Sequence, residues 1–464
     1  MTNLKVSLTI LCVIGALSLA FAQTSKPIQS GFFGMHVHYL RYGGPTDSFG
    51  AFRFWDTGTR WDQIEPSQGH FDWKRFDTWV SLIVKDPNFH GTEAVFTLGP
   101  GTPAWASSEP DDKMCDFYTQ DGVPGQCYAA KDVAKDGSGT DQMWKDFVTA
   151  VATHAAHSGI HVKYWEIWNE FNDTPETQRS AWQWAGTPQQ LERMAEDARC
   201  VITGRGHVRG IACTAKPIDS TAVILSPSFE AVYDAIHLNV AKAYFQQPGA
   251  ADAAEEIAYH AYTLVPEDET KDIQLMKSTM LPVDRQRPFI STEGGWHRDC
   301  ELPDVDTQAS FIARLYFILN SNHVQAHYWY AWLVRVPNTG NGSGTLWNPD
   351  ANGQCTSTAA GLTPAGVAFQ QTYNWMVGAN VSPCTQDRSV TTVYTCKLSR
   401  SAGYLAQAIW DSAQACSQGT CTTRSWPVPQ GMQWYRQLDG TLVKIVGQTV
   451  QVGLKPILLE NMDQ

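Results

Sequence analysis

Two glutamates at the ends of apolar runs have the setting of a catalytic pair. Glu170 follows the run 164–168 and Asn169, and Glu293 directly follows the run 288–292. Cleavage of a glycosidic bond needs one carboxylic acid to protonate the leaving oxygen and one carboxylate opposite it. If both runs are parallel strands of a barrel, their carboxyl ends meet on one face, and the two side chains can face each other there.

A third glutamate, Glu166, lies four residues before Glu170 and would leave the same strand face. That position points into the barrel, so we interpret Glu166 as a buried charge held by a partner. It would replace Glu170 as the catalytic acid only if the strand ended earlier than the pattern indicates.

The elements that must position these residues recur along the chain. Helical apolar spacing separates the runs, for example at 144–157 and 308–320, and a last helix is expected at 363–377. Strands alternating with helices predict an α/β fold, a (β/α)8 TIM barrel. A doubly wound sheet is the alternative, disfavoured because no glycine-rich phosphate loop follows the first strand. The eight predicted strands are 32–39, 51–55, 94–98, 164–168, 223–226, 257–262, 288–292 and 326–333.

The two ends of the chain differ from this pattern. The N-terminus combines Lys5, an apolar stretch and the ending Ala20-Phe21-Ala22, which is typical of a signal peptide. No later run is long enough to cross a bilayer, so we expect a secreted or periplasmic protein without membrane insertion. The predicted parts are a signal peptide at 1–22, a linker at 23–30, the barrel at 31–378 and a small C-terminal β-sandwich domain at 379–464.

The cysteines are expected to form disulfides. Eleven are present, and Cys12 falls in the predicted signal peptide, which leaves an even number. A metal site is disfavoured because no pair has a two-residue spacing and none clusters with histidines. Sequence cannot fix the connectivity, but pairing of neighbours would join 115 with 127, 200 with 213, 300 with 355, 384 with 396 and 416 with 421.

The charge and the aromatic content of the chain restrict the kinds of partner that it can bind. The chain carries 34 Lys and Arg against 46 Asp and Glu residues, a net charge of −12 that would repel nucleic acid. Its 18 tryptophans, 16 tyrosines and 19 phenylalanines suit stacking on neutral, hydroxyl-rich rings, although most aromatic residues in proteins are core residues.

Several motifs together resemble clan A glycoside hydrolases, nearest to family 39 and its relatives. The resemblance implies retaining hydrolysis of an oligosaccharide or polysaccharide, with Glu170 as acid/base and Glu293 as nucleophile. Two carboxylates suffice for this chemistry, so no metal or organic cofactor is expected. The sugar, the linkage and the oligomeric state stay open. The matching motifs are Arg53-Phe54-Trp55-Asp56, the segment 61–73, Gly101-Thr102-Pro103-Ala104-Trp105, Trp168-Asn169-Glu170, Tyr259-His260-Ala261-Tyr262 and Thr292-Glu293-Gly294-Gly295-Trp296.

Polar residues near the two glutamates are predicted to assist them. Asn169 can donate its amide to the sugar 2-hydroxyl or to Glu293, or it is a turn residue that ends the strand. Arg53 can keep Glu293 ionised by a charge-assisted hydrogen bond, or it forms a structural ion pair with Glu166. Glu170 must start protonated, so we expect ionised Glu293 and partial burial to raise its pKa.

Histidines and a tyrosine are candidate sugar contacts on two other strands. His260 and Tyr262 share a face of strand six, and we expect Tyr262 to contact Glu293. Either one is alternatively a satisfied core residue. On strand one, His38 is preferred to His36 because it is nearer to the carboxyl end.

Three tryptophans are predicted to bind sugar rings, each with core packing as the alternative. Trp332 would form the platform under the cleaved sugar. Trp329 is the other candidate, because an odd number of positions separates the two and their side chains would leave opposite faces of the strand. Trp105 and Trp296, on loops, would stack neighbouring units.

Two other functions are compatible with these residues. One is a non-catalytic carbohydrate-binding protein on a glycosidase scaffold, which the presence of both carboxylates disfavours. The other is transglycosylation, in which a sugar hydroxyl replaces water as the acceptor.

Overall fold

The computed structural model describes residues 26–39, 44–86, 89, 92–115, 123–177, 182–230, 234–296, 302, 304–336, 340–350 and 360–462. The predicted signal peptide lies outside the described residues.

Eight parallel strands form a nearly closed barrel. Strands β1 to β5 pair in chain order, as do β6 to β8, and β1 also pairs with β8. The isolated bridges Leu225–Glu256 and Phe229–Tyr259 join the β5 and β6 sides. The (β/α)8 prediction is therefore confirmed, and the doubly wound alternative is wrong because the last gap is bridged. The strands are β1 (Phe33–Met35), β2 (Ala51–Phe54), β3 (Glu93–Thr97), β4 (Val162–Glu166), β5 (Val223–Leu225), β6 (Ile257–Ala261), β7 (Phe289–Gly294) and β8 (Val324–Trp329).

Helices cover the outside of the barrel, and from β2 onward at least one follows each strand. Their apolar faces pack on outward side chains; Phe52, for example, lies against Trp79, with ring centroids 5.3 Å apart. The helices are α1 (Trp61–Ile64), α2 (Lys74–Lys85), α3 (Gln142–Ser158), α4 (Pro188–Thr203), α5 (Ala235–Phe245), α6 (Glu269–Thr279), α7 (Val305–Ser321) and α8 (Pro364–Met376).

The barrel interior changes from apolar to polar along the strands. Inward side chains near the amino ends form an apolar cluster that includes Ala51, Val95 and Tyr164. Because side chains alternate along a strand, the next inward positions are two residues further on, and they include Arg53 and Glu166. The apolar layer thus supports a polar layer at the carboxyl ends of the strands.

The C-terminal part consists of antiparallel sheets. Seven strands form one sheet, and the pair Thr423–Pro427 with Thr449–Gly453 packs on it through a separate apolar cluster that includes Ile409 and Val452. The β-sandwich prediction is confirmed as two packed antiparallel sheets, while the boundary at 379 stays a prediction. The seven strands are Asn380–Val381, Thr385–Gln386, Val393–Ser399, Leu405–Asp411, Trp434–Arg436, Leu442–Lys444 and Ile457–Glu460.

Four predicted disulfides are present: Cys115–Cys127, Cys200–Cys213, Cys384–Cys396 and Cys416–Cys421. The fifth, between residues 300 and 355, lies outside the described residues. Within the part of the chain that the structure describes, no helix has both the length and the apolar character needed to span a membrane.

Candidate active site

The two predicted catalytic glutamates lie close together at the carboxyl face of the barrel. Glu293 belongs to β7, and Glu170 lies four residues beyond the end of β4. A carboxylate oxygen of Glu170, one of Glu293 and a ring nitrogen of His260 all lie within 4.8 Å of one another. Retaining glycosidases hold their carboxyl groups about 5 Å apart, whereas inverting enzymes leave a wider gap for water.

These three residues are also the group in the described chain that could hold a metal ion. The Arg53 guanidinium, however, already lies 2.7 Å from Glu293 and supplies positive charge there. Carboxylate chemistry therefore fits this site better than a dedicated metal centre.

Arg53 connects the carboxylates of the site. Its side chain is fully buried, and it donates from Nη1 to Glu293 Oε2 (2.7 Å) and from Nη2 to both Glu166 Oε2 (2.5 Å) and Asn169 Oδ1 (2.7 Å). Both contacts considered for Arg53 are present, since one guanidinium pairs with Glu166 and with Glu293. The two negative charges outweigh the cost of burial and raise the pKa of Arg53.

Glu166 is the buried, paired charge that its strand position predicts. Oε2 accepts hydrogen bonds from Arg53 and Thr97 Oγ1 (2.5 Å), and Oε1 accepts one from Thr292 Oγ1 (2.6 Å). These donors fix Glu166 beneath the two catalytic candidates, so it anchors Arg53 and does not face the solvent side of the site.

Glu293 is held by two donors in a dry environment. Tyr262 donates its hydroxyl to Oε1 (2.5 Å), and Arg53 donates to Oε2. Burial raises the pKa of Glu293 to about 7, and nearby Glu170 adds to the rise, while His260, Arg53 and Tyr262 oppose it. The Glu293 carboxylate would therefore ionise near neutral pH. Its two hydrogen-bond donors alone would have lowered its pKa below the usual value of a glutamate.

His260 lies between the two glutamates. Its Nδ1 is 2.8 Å from Glu170 Oε1, and its Nε2 is 4.0 Å from Glu293 Oε2. Burial lowers the pKa of His260, and Arg53 lowers it further, although Glu293 opposes the shift. A neutral imidazole can donate or accept at Nδ1, so it can follow the protonation state of Glu170.

The local backbone conformation orients Glu170 at the carboxyl face of the barrel. Glu170 has a left-handed φ of 45°, and its backbone N–H donates to Ser228 Oγ (3.2 Å). Gln183 Nε2 donates to Glu170 Oε2 (3.4 Å), a contact from a distant loop. The Glu170 side chain is 13% exposed, so a substrate oxygen can reach it.

Asn169 lies beside the pair with a fixed orientation. Its backbone N–H donates to Gly99 O (2.8 Å), and its Oδ1 accepts from Arg53. Because Oδ1 faces Arg53, the amide nitrogen points away from the guanidinium. This is the orientation that donation to a sugar hydroxyl or to a carboxylate needs.

A second polar cluster borders the site on the β8, β1 and β2 side. Tyr330 donates to Asp56 Oδ2 (2.7 Å), His38 Nε2 lies 3.7 Å from the same oxygen, and the His38 and Tyr330 rings are 4.7 Å apart. The sequence predicted His38 but not Asp56 or Tyr330. His36 is instead fully buried, with Nε2 3.0 Å from Thr292 O.

The tryptophans predicted as platforms near the cleaved sugar are buried. Strand β8 ends at Trp329, not at 333, so Trp332 lies in the following loop, where it is 3% exposed and stacks on Trp347. Trp296 is 6% exposed and packs on Phe311. Trp329 is also buried, and its indole donates to Gly344 O (2.7 Å). Their burial favours core packing for all three.

Trp105 is placed differently. Its ring is half-buried, and its indole N–H donates to Glu65 O (3.0 Å). It faces a groove beside α3 rather than the two glutamates.

Comparisons by sequence give no match: no family model and no curated protein matches the chain. Solved structures do match. A family 39 glycoside hydrolase from Bacteroides cellulosilyticus WH2 has a TM-score of 0.58 at 14% identity, covering 94% of this chain and 82% of that one. A GH39 β-xylosidase from Caulobacter crescentus has a TM-score of 0.56 at 14% identity, covering 95% and 98%.

A third neighbour is the family 30 subfamily 8 xylanase Xyn30A from Clostridium acetobutylicum, with a TM-score of 0.51 at 12% identity, covering 94% and 97%. The chain therefore has the fold of the clan A glycoside hydrolases, as its motifs indicated. At such low identity, structural similarity shows the fold alone, and the activity depends on the residues of the site.

Proposed function

We propose that this protein is a retaining glycoside hydrolase with Glu170 as acid/base and Glu293 as nucleophile. The observation that carries the proposal is the approach of the two carboxylates to within 4.8 Å, with Arg53 and Tyr262 both donating hydrogen bonds to Glu293. Arg53 and Tyr262 hold the Glu293 carboxylate in place for attack. Glu170 lies beside His260 and Gln183, which are compatible with either protonation state of Glu170.

In the first step, Glu293 attacks the anomeric carbon. The bond from that carbon to the leaving oxygen breaks, and the proton of Glu170 passes to the leaving oxygen. The product is a glycosyl ester on Glu293. Charge leaves Glu293 as the ester forms, so the electrostatic repulsion between the two carboxylates disappears and Glu170 can remain ionised as a base.

In the second step, Glu170 acts as a base. It takes a proton from water while the water oxygen bonds to the anomeric carbon and the ester bond to Glu293 breaks. His260 Nδ1, 2.8 Å from Glu170, can donate to the carboxylate in this half of the cycle. Gln183 donates to the other oxygen and helps to hold the side chain in position.

The sugar in the cleaved position would lie between these residues and the cluster of His38, Asp56 and Tyr330. Asp56 is 29% exposed and can accept from sugar hydroxyls, and the half-buried Tyr330 ring offers an apolar surface. Asn169 would donate to the 2-hydroxyl, a contact that strengthens in the transition state.

The substrate class is an oligosaccharide or polysaccharide, as the glycoside hydrolase neighbours suggest. The proposed chemistry uses carboxylates alone. Four disulfides and the N-terminal sequence support secretion, with cleavage of the signal peptide after residue 22.

A panel of aryl glycosides tests the proposal. The purified protein should release the aryl group from at least one of them, and Glu293→Gln should abolish turnover. Near-normal activity in Glu293→Gln would end the assignment. A protein that binds oligosaccharides but turns over no member of the panel would instead be a carbohydrate-binding protein on this fold.

A further inference from the structure

A groove of about 750 Å³ lies on the outer side of the barrel, apart from the two glutamates. One wall is the segment between α1 and α2, and the other is the face of α3 that carries Thr149 and Thr153. Its volume is in the range of ligand pockets, which are typically about 300–1,000 Å³.

Aromatic rings form one side of this groove. Phe71 and Trp73 are nearly parallel, with centroids 5.4 Å apart, and Trp73 stacks on His154 at 4.0 Å. Trp105 completes the apolar lining, and its hydrogen bond to Glu65 O fixes the ring. Phe71, Trp73 and Trp105 are each half-buried, so part of every ring faces the groove.

The polar lining suits a neutral ligand. Gln68, Thr149 and Thr153 are exposed and offer amide and hydroxyl groups. The exposed carboxylate of Asp146 accepts hydrogen bonds from hydroxyl groups and repels phosphate or other anions, whereas the buried Glu65 carboxylate already accepts from Trp61 and Gly69. Aromatic surface combined with such groups fits the apolar faces and hydroxyl edges of sugars.

The groove begins at the catalytic face of the barrel. Trp105 lies in the loop after β3, and α1 follows β2, so both belong to loops at the carboxyl ends of strands. These loops are joined, because Asp62 N donates to Gly101 O over 2.7 Å. A long substrate leaving the catalytic face can therefore reach the groove.

We propose that this groove is an accessory binding site for a neutral oligosaccharide segment of a polymeric substrate, with Phe71, Trp73 and Trp105 as its apolar surface. The inference rests on the proposed glycosidase function for the identity of the polymer. Binding at the groove holds the enzyme on the polymer and leaves the cleavage chemistry unchanged.

Native gel electrophoresis in soluble arabinoxylan, glucomannan or xyloglucan tests this site. Thr149→Arg places a bulky charged side chain in the groove at an exposed helix position. Ala156→Arg is the matched control, since residue 156 is exposed on the same helix and does not line the groove. Phe71→Ala removes apolar surface instead. None of these substitutions changes a residue of the proposed active site, so polymer binding at that site is the same in all of the variants.

At least one polymer should retard the wild type and Ala156→Arg equally, and Thr149→Arg and Phe71→Ala should bind it about tenfold more weakly. Their kcat/KM on a small aryl glycoside should match the wild type. Equal retardation of Thr149→Arg, or no retardation of the wild type by any of the three, would overturn the inference. Retardation that is weakened in Thr149→Arg but not in Ala156→Arg, without aryl glycoside cleavage by any of the proteins, would support the groove and refute the proposed function.

Discussion

The Nη1 atom of Arg53 lies 2.7 Å from Oε2 of Glu293, and the guanidinium that makes this contact is fully buried. The same guanidinium is anchored from below by Glu166, whose other donors are threonines of β3 and β7. The position of the proposed nucleophile is therefore set by residues of four strands.

Arg53→Lys tests this connection. Lysine keeps the charge but cannot reproduce the planar contacts with Glu166, Glu293 and Asn169. We expect kcat/KM to fall by about 100-fold, the lower end of losses for removed electrostatic contacts, and the melting temperature to fall as well. Arg436→Lys is the matched control, because Arg436 pairs with Glu460 far from the site. Activity of Arg53→Lys within twofold of the wild type would show that Arg53 does not position Glu293.

The pH profile follows from Glu293. Its pKa is raised to about 7 by burial, and it must be ionised to attack, so Glu293 sets the acidic limb of the profile and activity is lost as the pH falls through about 7. We expect kcat/KM to decrease about tenfold per pH unit below 7. Glu170 and Glu293 interact, so the measured value belongs to the pair.

Tyr262→Phe refines this measurement. The substitution removes a donor to the ionised form of Glu293, so the acidic limb should move to higher pH. An acidic limb near pH 4 in the wild type, or a shift to lower pH in the variant, would contradict the electrostatic account of the site.

Glu170→Ala separates the two proposed roles. Without the acid, substrates with poor leaving groups should be cleaved far more slowly, while an activated dinitrophenyl glycoside still forms the ester. Water then lacks its base, and azide, which needs none, should restore turnover and yield a glycosyl azide. The absence of rescue on every activated substrate would argue that Glu170 is not the acid/base.

The contact between the barrel and the C-terminal sheets should matter for stability. Glu267 accepts from Arg314 Nε (2.8 Å) and from Trp410 Nε1 (2.7 Å), and the Arg314 side chain is 2% exposed. Glu267→Gln leaves that charge uncompensated, so chemical denaturation should show a loss of about 3 kcal/mol.

Glu93→Gln is the matched control for this loss. Its pair with Lys163 is about one-third exposed, so removing it should cost less than about 1 kcal/mol. Equal effects of the two substitutions would indicate that Glu267 does not stabilise the contact between the two parts.

The sequence was sufficient to predict the barrel and the closeness of Glu170 and Glu293 at its carboxyl face. Strand periodicity predicted that His260 and Tyr262 share one face and that Glu166 points into the barrel, because alternation along a strand is fixed by backbone geometry. All eight predicted strands overlap observed ones.

The loops could not be read in this way. Asp56 has a left-handed φ of 58°, and Tyr330 follows the last residue of β8, so neither position obeys strand alternation. Gln183 reaches Glu170 from a loop 13 residues further along the chain. The predicted last strand extends to 333, whereas β8 ends at Trp329 and Trp332 lies in the loop that follows.

The stereochemistry of the first product tests the central claim most directly. Proton NMR of an aryl glycoside digest, recorded before mutarotation, reports the anomer that the enzyme releases. Double displacement through Glu293 predicts the anomeric configuration of the substrate in that first product. Release of the opposite anomer would contradict the account, because it would require water to attack the sugar directly.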